Sequence, residues 1–287
     1  MKRLYSYSFK KFLTATFLLV LFASAELLAA KVETPIPKKA ISLSKSTNTF
    51  CAGCLTSDIV VNNSFAYPTN IDYALTTGQN NQTSNITSTT GTTMAEFQIR
   101  DGGAGGSDAG SETTTLTDLT LTFTNASFIR RVALYDAATG LVEYGEVAPS
   151  GSTATFSGLP ATMFAPDNGS FSFQVKVSFN TTVTDQQRIT ASITAATADV
   201  LGSVFINGSA GGATTNALNG VSGSNNVVNV IATKLVFTTQ PPSTTRPNVN
   251  VTPQPVVTAE DANNNTDVDY NTAYTVLLLA SSAVTTG

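Results

Sequence analysis

Histidine and tryptophan are both absent from the 287 residues of this chain, and only two cysteines occur. Without histidine, the chain has no Ser-His-Asp or Cys-His catalytic arrangement and no histidine-bearing zinc site. A glycosidase needs only two carboxylates in a cleft, but no acidic residue stands in a recognisable catalytic motif. We therefore predict no enzymatic activity and no catalytic residue in this portion of the chain.

Charged residues are also scarce, at 12% of the chain, so solubility rests on hydroxyl and amide side chains. Four of the 15 basic and one of the 19 acidic residues lie in the first thirty positions, so 11 and 18 remain, a net charge of −7. The cations, such as Arg130, Arg131 and Lys176, are scattered. Nucleic acid is not an expected partner, because phosphate binding needs clustered lysine and arginine.

Long apolar runs are missing except at residues 12–22, which follow four basic residues. Residues 23–25 read Ala-Ser-Ala, a small-residue cleavage site, and residues 28–30 offer a second one. Residues 1–30 are therefore predicted to be a secretory signal peptide. The alternative, an uncleaved membrane anchor, is disfavoured because the run is short. We expect a secreted, extracellular or cell-surface protein with no transmembrane segment after cleavage.

The two cysteines, Cys51 and Cys54, lie in a polar lead-in that spans residues 31–56. After export they are predicted to form a local disulfide. A structural zinc site wants four ligands, and a redox Cys-x-x-Cys motif normally begins a helix, so both alternatives are disfavoured. Neither cysteine follows the cleavage site, so lipid attachment is not indicated.

Short runs in which apolar and polar residues alternate recur between residues 95 and 231. The strongest run is residues 171–179, with five apolar residues in strict alternation, and it is predicted to carry the centre of the core. Turn clusters such as Pro-Asp-Asn-Gly at 166–169 separate the runs, and no stretch shows a helical period. The pattern predicts an all-β antiparallel sandwich over residues 57–231, with an edge-closed barrel as the alternative.

A second β unit is predicted over residues 232–287, with strands at 234–239, 255–260 and 273–280. This unit has only about half the residues of a sandwich of ~100 residues. We therefore expect the chain to be a fragment or a truncated product of a longer protein that carries further modules.

Two segments, ATKLVFTTQPPSTT and PVVTAEDANNNTDVDYNTAYTVLLL, resemble the immunoglobulin-like repeats of large secreted bacterial surface proteins. The segments FQIRDGG, LTFTNASFIRRVALYD and FQVKVSFNTTVTD resemble a companion β-sandwich module of such proteins. The resemblance covers residues 95–280 and rests on turns and core positions. It implies an Ig-like module, followed by a truncated Ig-like module, in a long multidomain adhesin or cell-envelope protein.

Two oxygen-rich loops are weak candidates for calcium sites, and calcium is the one cofactor considered. The first places side-chain oxygens at alternate positions, as a calcium loop would: Asp261, Asn263, Asn265, Asp267 and Asp269. A polar hairpin turn is the alternative, because the loop lacks the glycine and the closing glutamate of a calcium motif. The second candidate comprises Asp101, Asp108 and Glu112, which flank a Gly-rich loop; its alternative is a loop with solvated carboxylates.

These features favour a structural or adhesive role, with glycans or surface proteins as partners and no catalysis. The alternative is a carbohydrate-binding accessory module of a secreted polysaccharide-degrading enzyme. Six tyrosines could line a sugar-binding face, although the lack of tryptophan weakens this interpretation, and half-buried packing is the alternative; they are Tyr67, Tyr73, Tyr135, Tyr144, Tyr270 and Tyr274.

Overall fold

The computed structural model of the protein describes residues 57–62, 65–74, 85–205, 218, 225–244, 246 and 248–273. All of these residues belong to one compact unit, Phe50–Gly287. The predicted signal peptide, the lead-in and the Cys51–Cys54 disulfide lie outside the described residues. So do all but the first residue of the strand predicted at 273–280.

The described part of the chain is all-β, as predicted, and includes no helix that could cross a membrane. Two short 3₁₀ turns, Gly103–Gly105 and Ala126–Phe128, interrupt the strands. Numbered in chain order, the strands are β1 (Asp58–Val61), β2 (Asn70–Asp72), β3 (Thr92–Arg100), β4 (Thr114–Phe123), β5 (Ile129–Asp136), β6 (Glu143–Val147), β7 (Thr153–Ser157), β8 (Phe164–Ala165), β9 (Ser170–Phe179), β10 (Ala191–Ala198), β11 (Val227–Asn229), β12 (Lys234–Thr239) and β13 (Val256–Glu260).

Five strands form the larger sheet, in the order β1-β3-β9-β5-β6, and each neighbouring pair is antiparallel. β9 lies at its centre and buries Phe173, Val175, Val177 and Phe179 completely, which confirms the predicted core strand. Phe171, the first residue of the alternation, is only half-buried and packs against the edge of the core. Burying each of these side chains contributes about 1.5–3 kcal/mol to folding.

The smaller sheet has the order β10-β4-β7, with β8 also paired to β4. Its inward residues, such as Leu119 and Leu121, join the inward residues of the larger sheet in a single hydrophobic core. Its outward face carries threonines, and the Thr122 and Thr194 hydroxyls lie 3.1 Å apart. Two antiparallel sheets that share one core are consistent with a β-sandwich.

β6 begins two residues later than the alternation predicts, because a carboxylate holds the preceding residues in a loop. The sequence predicts a strand over 141–147, yet Leu141 and Val142 are 68% and 51% exposed. The Asp136 carboxylate accepts hydrogen bonds from the Thr139 backbone N–H at 2.8 Å and from the Val142 N–H at 3.3 Å. These bonds lower the pKa of Asp136, although burial acts in the opposite direction.

Residues 85–91, here named the strap, cross the outer face of the larger sheet. Ile86 packs there on Ala133 and Tyr135, and the Tyr135 hydroxyl donates to the Ile86 carbonyl at 3.2 Å. The Lys176 ammonium donates to the Ser88 carbonyl at 2.7 Å. The sequence predicts a long exposed loop or a weak edge strand over 76–93, and the structure starts β3 at Thr92.

Two smaller sheets complete the described chain. β2 and β11 pair in parallel, and β12 and β13 form an antiparallel pair, here named the C-terminal hairpin. Leu235 and Val256 of this hairpin are largely exposed, whereas Ala259 is buried. Asp261 directly follows the last residue of β13, so the C-terminal hairpin leads into the loop that is the first weak calcium candidate.

Candidate functional site

The loop at residues 261–269 uses its first carboxylate to organise its own backbone. Asp261 Oδ1 accepts hydrogen bonds from the backbone N–H groups of Asn263 at 2.8 Å and Asn265 at 2.9 Å. Asn264 has a φ of 68°, a left-handed conformation that asparagine tolerates. Asp261 and Asn265 are only 3% and 6% exposed, so both side chains point into the protein.

Tyr73, which belongs to the main β region (residues 57–231), contacts these side chains of the loop. Its hydroxyl donates to the Asp261 carboxylate and accepts hydrogen bonds from the Nδ2 atoms of Asn263, at 3.0 Å, and Asn265. Burial raises the pKa of Tyr73 to about 12, and the hydrogen bond to Asp261 adds to this effect. Three of the five predicted calcium ligands therefore take part in a contact between the loop and the main β region.

Asn265 extends the same contact to the segment that follows β9. Its Nδ2 donates to the Thr181 carbonyl at 2.8 Å, and its Oδ1 accepts from the Val183 backbone N–H at 3.1 Å. The buried amide thus pairs its oxygen and its nitrogen with the main chain of another segment. Removing one partner of such a buried pair costs about 1–3 kcal/mol, because the other is left unsatisfied.

The remaining two predicted ligands, Asp267 and Asp269, meet Asp185 of the main β region. One carboxylate oxygen from each of the three residues lies within 4.8 Å of the others. Asp185 is buried and accepts from the backbone N–H groups of Val230 at 2.8 Å and Val268 at 2.9 Å. The group therefore lies where the 261–269 loop meets the main β region.

The three carboxylates of this group lie close enough together for two of them to affect the pKa of the third, Asp269. Asp267 Oδ2 accepts from the Ala232 N–H at 3.0 Å, while its Oδ1 is buried and has no hydrogen-bond partner within the described residues. The pKa of Asp269 is raised, chiefly by a hydrogen bond with Asp267 and also by the nearby charge of Asp185. Three carboxylates would supply part of the six to eight oxygen ligands that calcium takes.

At the second candidate calcium site, the structure brings Asp167, and not Glu112, close to Asp101 and Asp108. Asp101, Asp108 and Asp167 bring a carboxylate oxygen each within 4.8 Å of the others, and the exposed Glu112 is not in this group. Asp101 is almost completely buried and accepts from the Asn168 N–H at 2.8 Å and from the Thr114 hydroxyl. The Asp101 carboxylate is thus a structural acceptor that joins the Gly-rich loop to the turn at 166–169.

The five candidate tyrosines within the described residues do not form an exposed sugar-binding face. Tyr73, Tyr135 and Tyr144 are buried, and the ring of Tyr144 packs edge-on against Phe173 at 5.2 Å. Tyr67 is half-buried and donates from its hydroxyl to the Leu218 carbonyl at 2.5 Å. Tyr270 is half-buried as well, and Tyr274 lies outside the described residues. The described tyrosines therefore pack within the protein, as the alternative interpretation predicts.

Sequence reasoning missed Asp185, Asp167 and the role of Tyr73. Asp167 stands in the Pro-Asp-Asn-Gly turn, so the turn signal marks its position but not its neighbours. Asp185 is an isolated acidic residue in a Thr-rich segment, and no local pattern distinguishes it. Tyr73 lies 188 residues from Asp261, so their contact leaves no trace in local periodicity.

Sequence comparisons add no relative to this picture. No protein-family model matches the chain, and no curated protein matches it significantly. The function of the protein must therefore be argued from its residues and their geometry.

Proposed function

We propose that the chain belongs to an exported, modular, all-β protein with a structural or adhesive role at the cell surface or in the extracellular matrix. In this proposal an Ig-like β-sandwich is followed by a second Ig-like module. The signal-like leader, the hydroxyl-rich strands and the resemblance to surface-protein repeats support it. Its partners are glycans or surface proteins, and this portion carries out no catalysis.

One observation carries the structural part of the proposal: the 261–269 loop is fastened to the main β region. Tyr73 and the segment after β9 receive Asp261 and Asn265, and Asp185 accepts a hydrogen bond from Val268. A spacer between modules must resist bending at the point where one module gives way to the next. Buried hydrogen bonds of this kind resist bending, because opening the contact would leave their polar groups unpaired.

The rigidity of this contact can be tested by ¹⁵N relaxation of the backbone amides. We expect β9 and β12 to report the same rotational correlation time, because they move as one body. Replacing the buried amide, Asn265→Ala, should shorten the apparent time at β12 only. Ala262→Ser is the matched control, since Ala262 is exposed in the same loop. Independent tumbling of β12 in the unmodified chain would refute the spacer proposal.

Adhesion and export need a test on the producing cells. We expect antibodies against the chain to label intact cells or their matrix, and the purified chain to bind one of them. Amino-terminal sequencing of the exported form should begin at residue 26 or 31, after one of the two predicted cleavage sites. Surface labelling without any binding to cells or matrix would leave spacing as the role and remove adhesion.

The second candidate function is that of a carbohydrate-binding accessory module. The buried tyrosines give it no support. A different observation favours it, namely a cleft beside the strap that contains the buried Lys176.

A further inference from the structure

A cleft of about 520 Å³ opens on the outer face of the larger sheet, next to the strap. This volume falls within the range of about 300–1,000 Å³ that is typical of small-molecule sites. The cleft combines an apolar wall, several hydroxyls and one cationic side chain; the residues that matter here are Phe65, Pro68, Ser88, Thr89, Thr93 and Lys176. Its described lining includes no residue of the 261–269 loop or of the two groups of carboxylates.

Lys176 provides the only charge among the cleft residues. Lys176 belongs to β9, the central strand of the larger sheet, and is 6% exposed. Its ammonium lies 4.6 Å from the centroid of the Tyr135 ring. Its one hydrogen-bond acceptor within the described residues is the Ser88 carbonyl, at 2.7 Å. An ammonium carries three donors, so two of its N–H groups have no hydrogen-bond acceptor among the described residues.

Among the described residues, Lys176 forms no ion pair with a carboxylate; the ion pairs of Arg100, Arg131 and Lys234 lie elsewhere. Burial lowers the pKa of Lys176, and the charge of Asp136 acts in the opposite direction. The Asp136 carboxylate, however, accepts hydrogen bonds from its own loop. A buried cation of this kind gains from an anionic partner.

The other walls of the cleft suit a sugar ring. Phe65 is half-buried and is held edge-on by Tyr67, with the ring centroids 5.0 Å apart, so its ring has a defined position. Together with Pro68 it offers an apolar surface on which the C–H face of a pyranose can pack. Thr89 and Thr93 place hydroxyls nearby that can exchange hydrogen bonds with sugar hydroxyls.

We propose that this cleft binds a carboxylate-bearing sugar, the uronic acid unit of an acidic polysaccharide, with the Lys176 ammonium paired to the sugar carboxylate. A single ammonium matches a singly charged carboxylate better than a doubly charged phosphate. The protein as a whole is acidic, so its net charge does not attract polyanions and the selectivity must come from this local cation. The structural role proposed above does not require this site, and either can fail alone.

The test is calorimetric titration of the full chain with tetragalacturonate, and with cellotetraose as the neutral tetrasaccharide of equal length. We expect the acidic tetramer to bind at least about tenfold more tightly, the discrimination that one charge-assisted hydrogen bond provides. Lys176→Met should abolish this difference, because methionine keeps the length and apolar stem of the side chain but not the charge. Lys234→Met, which alters a lysine outside the cleft, should leave it unchanged.

Two substitutions at the exposed rim residue Ala66 keep the proposal falsifiable if Lys176→Met fails to fold. Ala66→Lys should tighten the binding of tetragalacturonate and Ala66→Glu should weaken it, each by several-fold and less so at high salt. Equal binding of the two tetramers, no binding of either, or the same response to both Ala66 substitutions would overturn the proposal. Relaxation at β12 is unaffected by any of these outcomes, so the spacer role is judged separately.

Discussion

Tyr73 is the single residue on which the contact between the 261–269 loop and the main β region most depends. It donates one hydrogen bond, accepts two, and is fully buried. Tyr135 plays a comparable part under the strap, where it supports Lys176 and donates to the Ile86 carbonyl. Burial is the main cause that raises the pKa of each tyrosine to about 12.

Because the pKa of each of these two tyrosines is raised, we expect the free energy of unfolding to fall at alkaline pH. Below pH 10 the phenols are protonated in both the folded and the unfolded state, and their contribution is constant. Between about pH 10 and 12 the unfolded chain releases the phenolic proton while the folded chain keeps it, so the free energy of unfolding falls as pH rises. We expect a fall of up to about 2 kcal/mol per tyrosine, measured by urea unfolding.

The double variant Tyr73→Phe and Tyr135→Phe is the control for this prediction. It cannot lose phenolic protons at these positions, whereas its lysines titrate as before. Its free energy of unfolding should therefore fall less over the same pH interval. An identical fall in both proteins would assign the effect to other groups.

Gly102 is a second residue whose identity the structure requires. Its φ is 75°, and a Cβ at this position would lie 2.5 Å from the Ser107 backbone nitrogen. We expect Gly102→Ala to lower the free energy of unfolding by about 1–3 kcal/mol, because a strained backbone and a clash are added. Gly151→Ala is a matched control, because Gly151 also has a positive φ but has open space around it. We expect it to lower the free energy of unfolding by less, with both variants measured by thermal unfolding.

β9 is the element on which the larger sheet depends, because it pairs with both β3 and β5. Its inward residues fill the core, and its outward residues Gln174 and Lys176 lie on the polar outer face of the sheet. Lys176 donates a hydrogen bond to the strap there. Gln174 Nε2 donates to Glu96 at 2.9 Å on this face. The alternation of the strand thus separates two tasks, core packing on one side and candidate ligand binding on the other.

A charge on the inward side of β9 should prevent folding. Val175 is completely buried, so Val175→Asp places an unpaired carboxylate in the core at a cost of several kcal/mol, comparable with the total stability of about 5–15 kcal/mol. Ser170→Asp adds the same charge to an exposed position of the same strand. Circular dichroism should show an unfolded chain for the first substitution and a folded one for the second.

At the scale of the whole molecule, each of the two groups of three carboxylates brings together residues from two segments that are distant in sequence. The Asp185 group joins the main β region to the 261–269 loop, and the Asp101 group joins the Gly-rich loop to the turn at 166–169. The predicted calcium sites therefore fall at contacts between segments. An ion bound there would stabilise the folded molecule as a whole, since the unfolded chain cannot assemble its ligands.

Thermal unfolding with calcium and with a chelator tests this prediction. Calcium bound at the Asp185 group would raise the unfolding temperature of the parent chain and would have a smaller effect on Asp269→Asn. In chelator the variant should be at least as stable as the parent, because one of three neighbouring like charges is removed. Asp118→Asn, outside both groups, is the control. An unchanged unfolding temperature in the parent would leave both loops as polar turns.

Local patterns in the sequence carry the class of the fold and the faces of its longer strands. The alternation in residues 171–179, the threonines opposite Leu119 and Leu121, and the turn at 166–169 are local properties, because side-chain direction in a strand reverses at every residue. These patterns predicted the all-β class and the buried side of β9. They also marked the 261–269 loop as rich in oxygen ligands.

The packing of the whole chain sets what those loops and strands contact. It directed Asp261 and Asn265 to Tyr73, replaced Glu112 by Asp167, and brought Asp185 to Asp267. It also placed the strap beside Lys176 and so formed the cleft. The physical reason is that a periodic pattern specifies which side of a strand is buried, whereas the pairing of segments more than a hundred residues apart depends on how the whole core packs.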